Sequence, residues 1–168
     1  DRLSVQVHPS DDYALRVEKE FGKSESWYII DASSDAKLIM GLSQGITREK
    51  FEEKVKNKDF SDLFNLVSVK KGDFINVNPG LVHASLDGWV LICETQQNSD
   101  TTYRIYDFDR MVDGELRPLH LEKASEVIAY GEKPEISTEE GRENIESEGA
   151  IIQELIRGEY FSIDKIKV

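Results

Sequence analysis

Gln6 and His8 stand two residues apart in the run Leu3-Ser4-Val5-Gln6-Val7-His8-Pro9, which alternates apolar and polar side chains. On a strand, that period puts Ser4, Gln6 and His8 on one face and Leu3, Val5 and Val7 on the other, so two ligating groups can reach one ion. Taken alone, the pair does not separate a metal ligand from a half-buried, hydrogen-bonded histidine. Glu25 follows Gly22-Lys23-Ser24 and opens a β-prone run, and His83 follows Gly72-Asp73, Pro79 and Gly80. Each therefore lies beside a turn of the kind that rims a barrel mouth. A solvated strand end and a satisfied core histidine are the ordinary readings of these two. In combination, two nitrogens and two oxygens suit zinc, with open positions for water or substrate. A non-haem iron oxygenase would share His, Glu and His, but Gln6 as a fourth ligand speaks against it.

The elements that must position these groups are short strands. Asp87-Gly88 between Leu86 and Trp89 is a two-residue hairpin signal, since a type I′ turn needs positive φ at both central positions. It predicts that Leu86 pairs with Trp89 and His83 with Ile92, which sets Glu94 on the face of His83, one step further along. Residues 26–31 and 36–41 read as another hairpin across Ala32-Ser33-Ser34-Asp35, and strands follow at 66–69, 74–77, 81–86 and 101–106. Helices are expected after Ser10, ending at Gly22; from Thr47 to Asn57, with Phe51 and Val55 on the buried side; briefly near Asp62; and at 122–128. Many short strands with tight turns predict a mainly β fold, a barrel or sandwich. Residues 132–149, rich in Glu, Ser and Gly, read as an acidic surface loop or linker, and 150–168 as two further strands.

Acidic residues number 33 against 21 basic, a net charge of −12, which argues against nucleic acid or an anionic membrane as partner. An anionic substrate would need a local basic cluster. The lone Cys93 in Trp89-Val90-Leu91-Ile92-Cys93 reads as a buried thiol, and one cysteine per chain fits a reducing, cytoplasmic compartment. No apolar run approaches the ~20 residues that span a bilayer, and the first residues lack a signal-peptide core.

Four ordered motifs, Leu3–Pro9, Gly22-Lys23-Ser24-Glu25-Ser26-Trp27-Tyr28, Gly72-Asp73 through Gly80-Leu81-Val82-His83-Ala84, and Glu94 through Asp107, resemble the type I mannose-6-phosphate isomerase family. The resemblance runs from Leu3 to about Ala124. It implies a cupin-type β-barrel, a jelly roll with a few short surface helices. It also implies zinc held by Gln6, His8, Glu25 and His83, and interconversion of mannose 6-phosphate and fructose 6-phosphate. By the same resemblance Arg104 is the active-site arginine, Glu94 a candidate acid or base, and Ser4, Lys23 and Arg110 contact substrate and phosphate. A metal-binding cupin that recognises a sugar phosphate without turning it over is the other reading. Val77-Asn78-Pro79-Gly80 departs from the family pattern, which has proline directly after the valine. Family members carry further barrel sequence before Leu3 and a second cupin-like domain after the first. The expectations are therefore a catalytic domain over 1–130, a linker over 131–149, and a start of, or return to, a sheet over 150–168. Barrel strands would then be missing, with another chain as one source of them.

Overall fold

Strands whose two faces are both covered read as near-continuous apolar runs, and Leu38-Ile39-Met40, all buried, is such a run. A computed structural model describes residues 2–147 and 149–168. In chain order its first half comprises β1 (Val5–Val7), α1 (Asp11–Val17), β2 (Glu25–Ala32), β3 (Lys37–Leu42), α2 (Arg48–Lys56), β4 (Phe64–Ser68) and β5 (Phe74–Val77). The second half comprises β6 (His83–Asp87), β7 (Val90–Gln96), β8 (Tyr103–Tyr106), β9 (Met111–Val112), β10 (Glu115–Leu116), α3 (Leu121–Val127), β11 (Glu135–Ser137), β12 (Ile145–Ser147), β13 (Ala150–Arg157) and β14 (Ser162–Lys167).

Two antiparallel sheets form the body: one ordered β4-β3-β6-β1-β8, the other β11-β5-β2-β7. Between them lies a core of Trp27, Ile29, Leu38, Met40, Ile75, Val77 and Leu81, drawn from both sheets. The outer face of the first sheet carries Val5, Val7, Ile39, Ala84 and Ile105, and α2 and α3 close over it with Phe51, Val55 and Ala124. This is the mainly β arrangement that the strand pattern predicts, in the cupin-type form that the resemblance implies, with few and short helices. Thr47 caps α2 by accepting from the Lys50 N–H at 3.4 Å, and Phe51 and Val55, one turn apart, point inward.

Neither predicted hairpin forms. β2 and β3 belong to different sheets, and so do β6 and β7. Asp87 instead pairs with Lys37, and Gly88, at φ +65°, turns the corner against Ser33 and Ala36. Trp89 N–H donates to Ser33 Oγ and Ser33 N–H to Trp89 O, both at 2.9 Å, so the two expected hairpin turns bind each other as corners of the jelly roll. β7 pairs with β2, placing Ile92 opposite Ile29 and Glu94 opposite Trp27. Cys93, expected to be buried, is exposed. It sits on the edge strand β7 opposite Tyr28, and period two turns Leu91 and Cys93 outward while Val90 and Ile92 keep partial cover.

The predicted helix near Asp62 is a turn, with Asp62 at φ 52°. α1 ends at Val17 rather than at Gly22. Gly22 serves a different need: a Cβ there would overlap Pro9 O and the Ser10 backbone, so only glycine permits this approach. In the acidic stretch, β11 adds to the edge of β5, with Ile136 opposite Ile75. β12, β13 and β14 make a separate three-stranded sheet, anchored where Lys165 Nζ meets Tyr28 OH at 2.8 Å and Glu139 Oε1 at 2.6 Å.

Truncating the fully buried Phe51 removes the main contact of α2 with the sheet. We expect Phe51→Ala to cost about 3–5 kcal/mol, read from the urea midpoint at unchanged m-value; a loss under about 1 kcal/mol would mean that α2 is not packed as described.

Candidate metal centre

The inward faces of the two sheets are largely apolar except at one end, where strands of both sheets bring polar groups together. Gln6 of β1 lies directly opposite His83 of β6 on one side and Arg104 of β8 on the other, so all three project toward the opposite sheet. Glu25 opens β2 in that opposite sheet and shares its inward face with Trp27 and Ile29. His8 follows β1 by one residue. His8, Glu25 and His83 are buried to about 1% exposure or less, and their ligating atoms lie within 4.8 Å of one another.

The hydrogen bonds fix the chemistry of the two rings. His8 Nδ1 is 2.9 Å from Thr101 O and His83 Nδ1 is 2.8 Å from Leu81 O. A carbonyl only accepts, so each Nδ1 carries a proton, and in a neutral ring the Nε2 then presents a bare lone pair. Those lone pairs face a carboxylate: His8 Nε2 is 3.2 Å from Glu25 Oε1, and His83 Nε2 is 3.7 Å from Glu25 Oε2. Burial pushes the Glu25 carboxyl up and the charge of Lys23 pulls it down; a proton or cation on the histidine side of the cluster lowers it further, below the usual carboxylate range. Burial, with the neighbouring His8, takes His83 down to about 4, so its ring is neutral at pH 7. His8 Nε2 and Glu25 Oε2 have no hydrogen-bond partner among the described residues. Neutral nitrogens aimed at an ionised carboxylate, in a place water does not reach, are the donor set a divalent metal satisfies.

Gln6 Nε2 lies 3.3 Å from His83 Nε2, and Gln6 Oε1 accepts from Ser4 Oγ at 3.0 Å. Exchanging the two ends of this amide would turn its oxygen toward the cluster while the nitrogen donates to Ser4, so Gln6 is compatible with a ligand role in one of its two orientations. Ser4, 3% exposed, is engaged with Gln6. Lys23 Nζ lies 3.2 Å from Glu25 Oε1 at the cluster itself.

Glu94 reaches the site by a route other than the predicted one. Opposite Trp27 on β2, its Oε1 accepts from Trp27 Nε1 at 3.1 Å, and the Trp27 ring stands edge-on to His83 at 5.4 Å. Desolvation and the charge of Glu25 raise its pKa. Arg110 is not brought to the cluster: its Nη2 donates to Asp107 Oδ1 at 2.6 Å, and it lines a cavity of about 260 Å³ with Asp107, Ile105 and Leu121. Sequence reading missed Arg117, whose fork grips the same Asp107. Its signal is weak, a lone arginine before Pro118 without a motif around it.

No family model matches the sequence. Among curated proteins it is 45% identical over 168 residues to a probable mannose-6-phosphate isomerase, GmuF, of Bacillus subtilis, covering 99% of this chain and 52% of that protein. It is 46% identical over 165 residues to the mannose-6-phosphate isomerase ManA of the same organism, covering 97% and 51%. The crystal structure of the mannose 6-phosphate isomerase from Bacillus subtilis superposes with a TM-score of 0.90 at 35% identity, covering 100% of this chain and 52% of that one. A putative mannosephosphate isomerase from Archaeoglobus fulgidus, at 23% identity and a TM-score of 0.64, shares the fold. The chain spans about half the length of the curated relatives it matches. Along its whole length the chain is thus similar, in sequence and in fold, to about half of a mannose-6-phosphate isomerase.

Proposed function

We propose that this chain forms the metal-binding and catalytic part of a zinc-dependent isomerase that interconverts mannose 6-phosphate and fructose 6-phosphate, with residues 1–130, joined by the edge strand β11, as its cupin domain. The observation that carries this reading is the ionised Glu25 held between the bare Nε2 atoms of His8 and His83. Gln6, His8, Glu25 and His83 would hold the zinc, which supplies positive charge to a substrate oxygen as negative charge develops there. The relatives' names supply the substrate, a sugar phosphate, and the absence of any membrane-crossing helix among the described residues accords with an enzyme of cytoplasmic sugar metabolism.

The remaining roles fall to side chains around the cluster. Isomerisation through an enediol takes a proton from C2 of the aldose and returns it to C1 to give the ketose. Glu94, held by Trp27 on the inward face, is the base for that transfer. Arg104, opposite Gln6, donates to the oxygens that gain charge. Lys23 reaches substrate beside Glu25, Ser4 orients Gln6 under it, and Arg110 receives the phosphate, in bidentate fashion.

A coupled assay for fructose 6-phosphate formation tests this directly. Zinc-loaded protein should turn over mannose 6-phosphate, a chelator should abolish turnover, and zinc should restore it; inactivity of the intact, zinc-loaded protein would sink the isomerase reading. The ligand set has its own measurement, bound zinc per chain by elemental analysis. We expect about one zinc in the native protein and a loss of 10- to 100-fold or more in affinity for Glu25→Gln and His83→Ala. Thr101 supplies only a main-chain carbonyl to His8, so Thr101→Val should retain the metal, and its loss there would contradict the assignment of Nδ1–H.

A further inference from the structure

Arg104 is held by a strap rather than by its own sheet. β8 is an edge strand, and the segment Arg117–His120 runs along it: His120 N–H donates to Arg104 O at 2.8 Å, and Arg104 N–H donates to His120 Nδ1 at 3.1 Å. Pro118 O then takes Arg104 Nη1 at 2.9 Å. Arg104 Nε is buried and has no partner among the described residues.

The strap is itself pinned at its other end. Arg117 Nε donates to Asp107 Oδ2 at 2.7 Å and Arg117 Nη2 to Asp107 Oδ1 at 2.9 Å, a two-pronged grip, and Arg110 Nη2 adds a third bond at 2.6 Å. Asp107 is 4% exposed, whereas both arginines keep about a third of their side chains in solvent. One carboxylate thus serves two guanidiniums while a third, Arg104, stands close enough for the Arg117 charge to oppose its own. In a chain of net charge −12, these three guanidiniums and one carboxylate make a local excess of two positive charges, with the buried Nε–H of Arg104 unpartnered among the described residues.

Resting on the isomerase reading above, we propose that Arg117 is a positioning residue. Its fork on Asp107 fixes the Arg117–His120 strap along β8, and the strap sets the guanidinium of Arg104 so that its Nε–H is available to an anionic oxygen of the substrate. Arg117 touches no substrate; it acts through Arg104. A lysine there keeps the charge but not the planar, two-pronged geometry.

A double-mutant cycle tests this on the zinc-loaded protein, with Arg117→Met, Arg104→Met, the pair, and Arg117→Lys. The readouts are kcat and KM for mannose 6-phosphate, zinc per chain, and titration with inorganic phosphate. Arg117→Met should lower kcat/KM by about 10- to 100-fold at unchanged zinc content, since a misplacement of about 1 Å costs that much. The paired variant should be no slower than Arg104→Met alone, and Arg117→Lys should recover only part of the loss. Additive losses, or full recovery by lysine, would overturn the proposal, because Arg117 would then act independently of Arg104 or as a charge alone. If Arg117→Met does not fold, Arg117→Lys decides: activity equal to the native protein overturns the strap. An inactive native protein overturns the isomerase reading and leaves this one to the phosphate titration. There Arg104→Met and Arg117→Met should each weaken binding and the pair no further; binding indifferent to Arg117 would overturn it.

Discussion

The structure is organised around one electrostatic constraint, an ionised carboxylate buried between two imidazole nitrogens that have no protons to give it. Removing an ion from water costs several kcal/mol even after relaxation, and only close, complementary charge offsets it. Lys23 at 3.2 Å supplies one positive neighbour, and the lone pairs of His8 and His83 supply none. Because Glu25 comes from one sheet and both histidines from the other, a cation shared among them ties the two sheets together at their polar end. Metal affinity and sheet packing are then coupled: whatever holds the sheets in register also sets the ligand spacing.

That spacing is enforced mostly by loops binding to one another. The loop after β1 and the loop before β2 meet where Lys23 N–H donates to Pro9 O at 3.0 Å, the approach that Gly22 makes possible. Gln97 joins them from the third side. Its Oε1 accepts from Ser24 N–H at 2.8 Å, its Nε2 donates to Asp11 Oδ1 at 3.2 Å, and Ser99 Oγ reaches Phe21 O at 2.8 Å. The same loop ends in Thr101, whose carbonyl sets the tautomer of His8. His8, the lysine beside Glu25 and the carbonyl that orients His8 are therefore carried by three segments that brace each other, which is how a site on loop ends keeps its geometry.

Much of this was legible in the sequence because its determinants are local. Period two in Leu3–Pro9 is enough to put Ser4, Gln6 and His8 on one face, and the helical spacing of Phe51 and Val55 with Thr47 as cap is enough for α2. Sheet membership is not local. Asp87-Gly88 carries a true turn signal, and Gly88 has the positive φ it implies, yet the chain leaves one sheet there and enters the other. Nothing within a few residues distinguishes a hairpin from a jelly-roll corner; the partner that decides it, Ser33, is 56 residues from Trp89. Glu94 was thus expected near His83 through a pairing that does not exist, and arrives through Trp27. Cys93 was misjudged for the same reason, since an apolar run is buried on both faces only if both faces of its sheet are covered, and Cys93 lies on the uncovered outer face, as Ile30 does on β2. β11 left no apolar signature because an edge strand is recruited by its backbone, and Arg117 left none because its partner Asp107 is recognisable only once folded.

The two inward carboxylates show what the long-range pairing achieves. Glu25 and Glu94 are alike in intrinsic acidity, but the fold gives them opposite surroundings. Glu25 has Lys23 beside it and two imidazoles around it, and positive charge gathered there holds it below the usual carboxylate range. Glu94 is exposed on its edge strand, yet desolvation and the charge of Glu25 push it up, against the hydrogen bond from Trp27 and the charge of Lys23. Like charges sharing a site drive their titrations apart, so one carboxylate is biased toward its ionised form and the other toward its protonated form. The asymmetry follows from register: one strand position further along β7 would turn the residue 94 side chain out of the site, as it does Cys93. Division of labour between the residue that holds charge and the residue that can move a proton is therefore set by the pairing of β2 with β7, the contact that local sequence signals did not disclose.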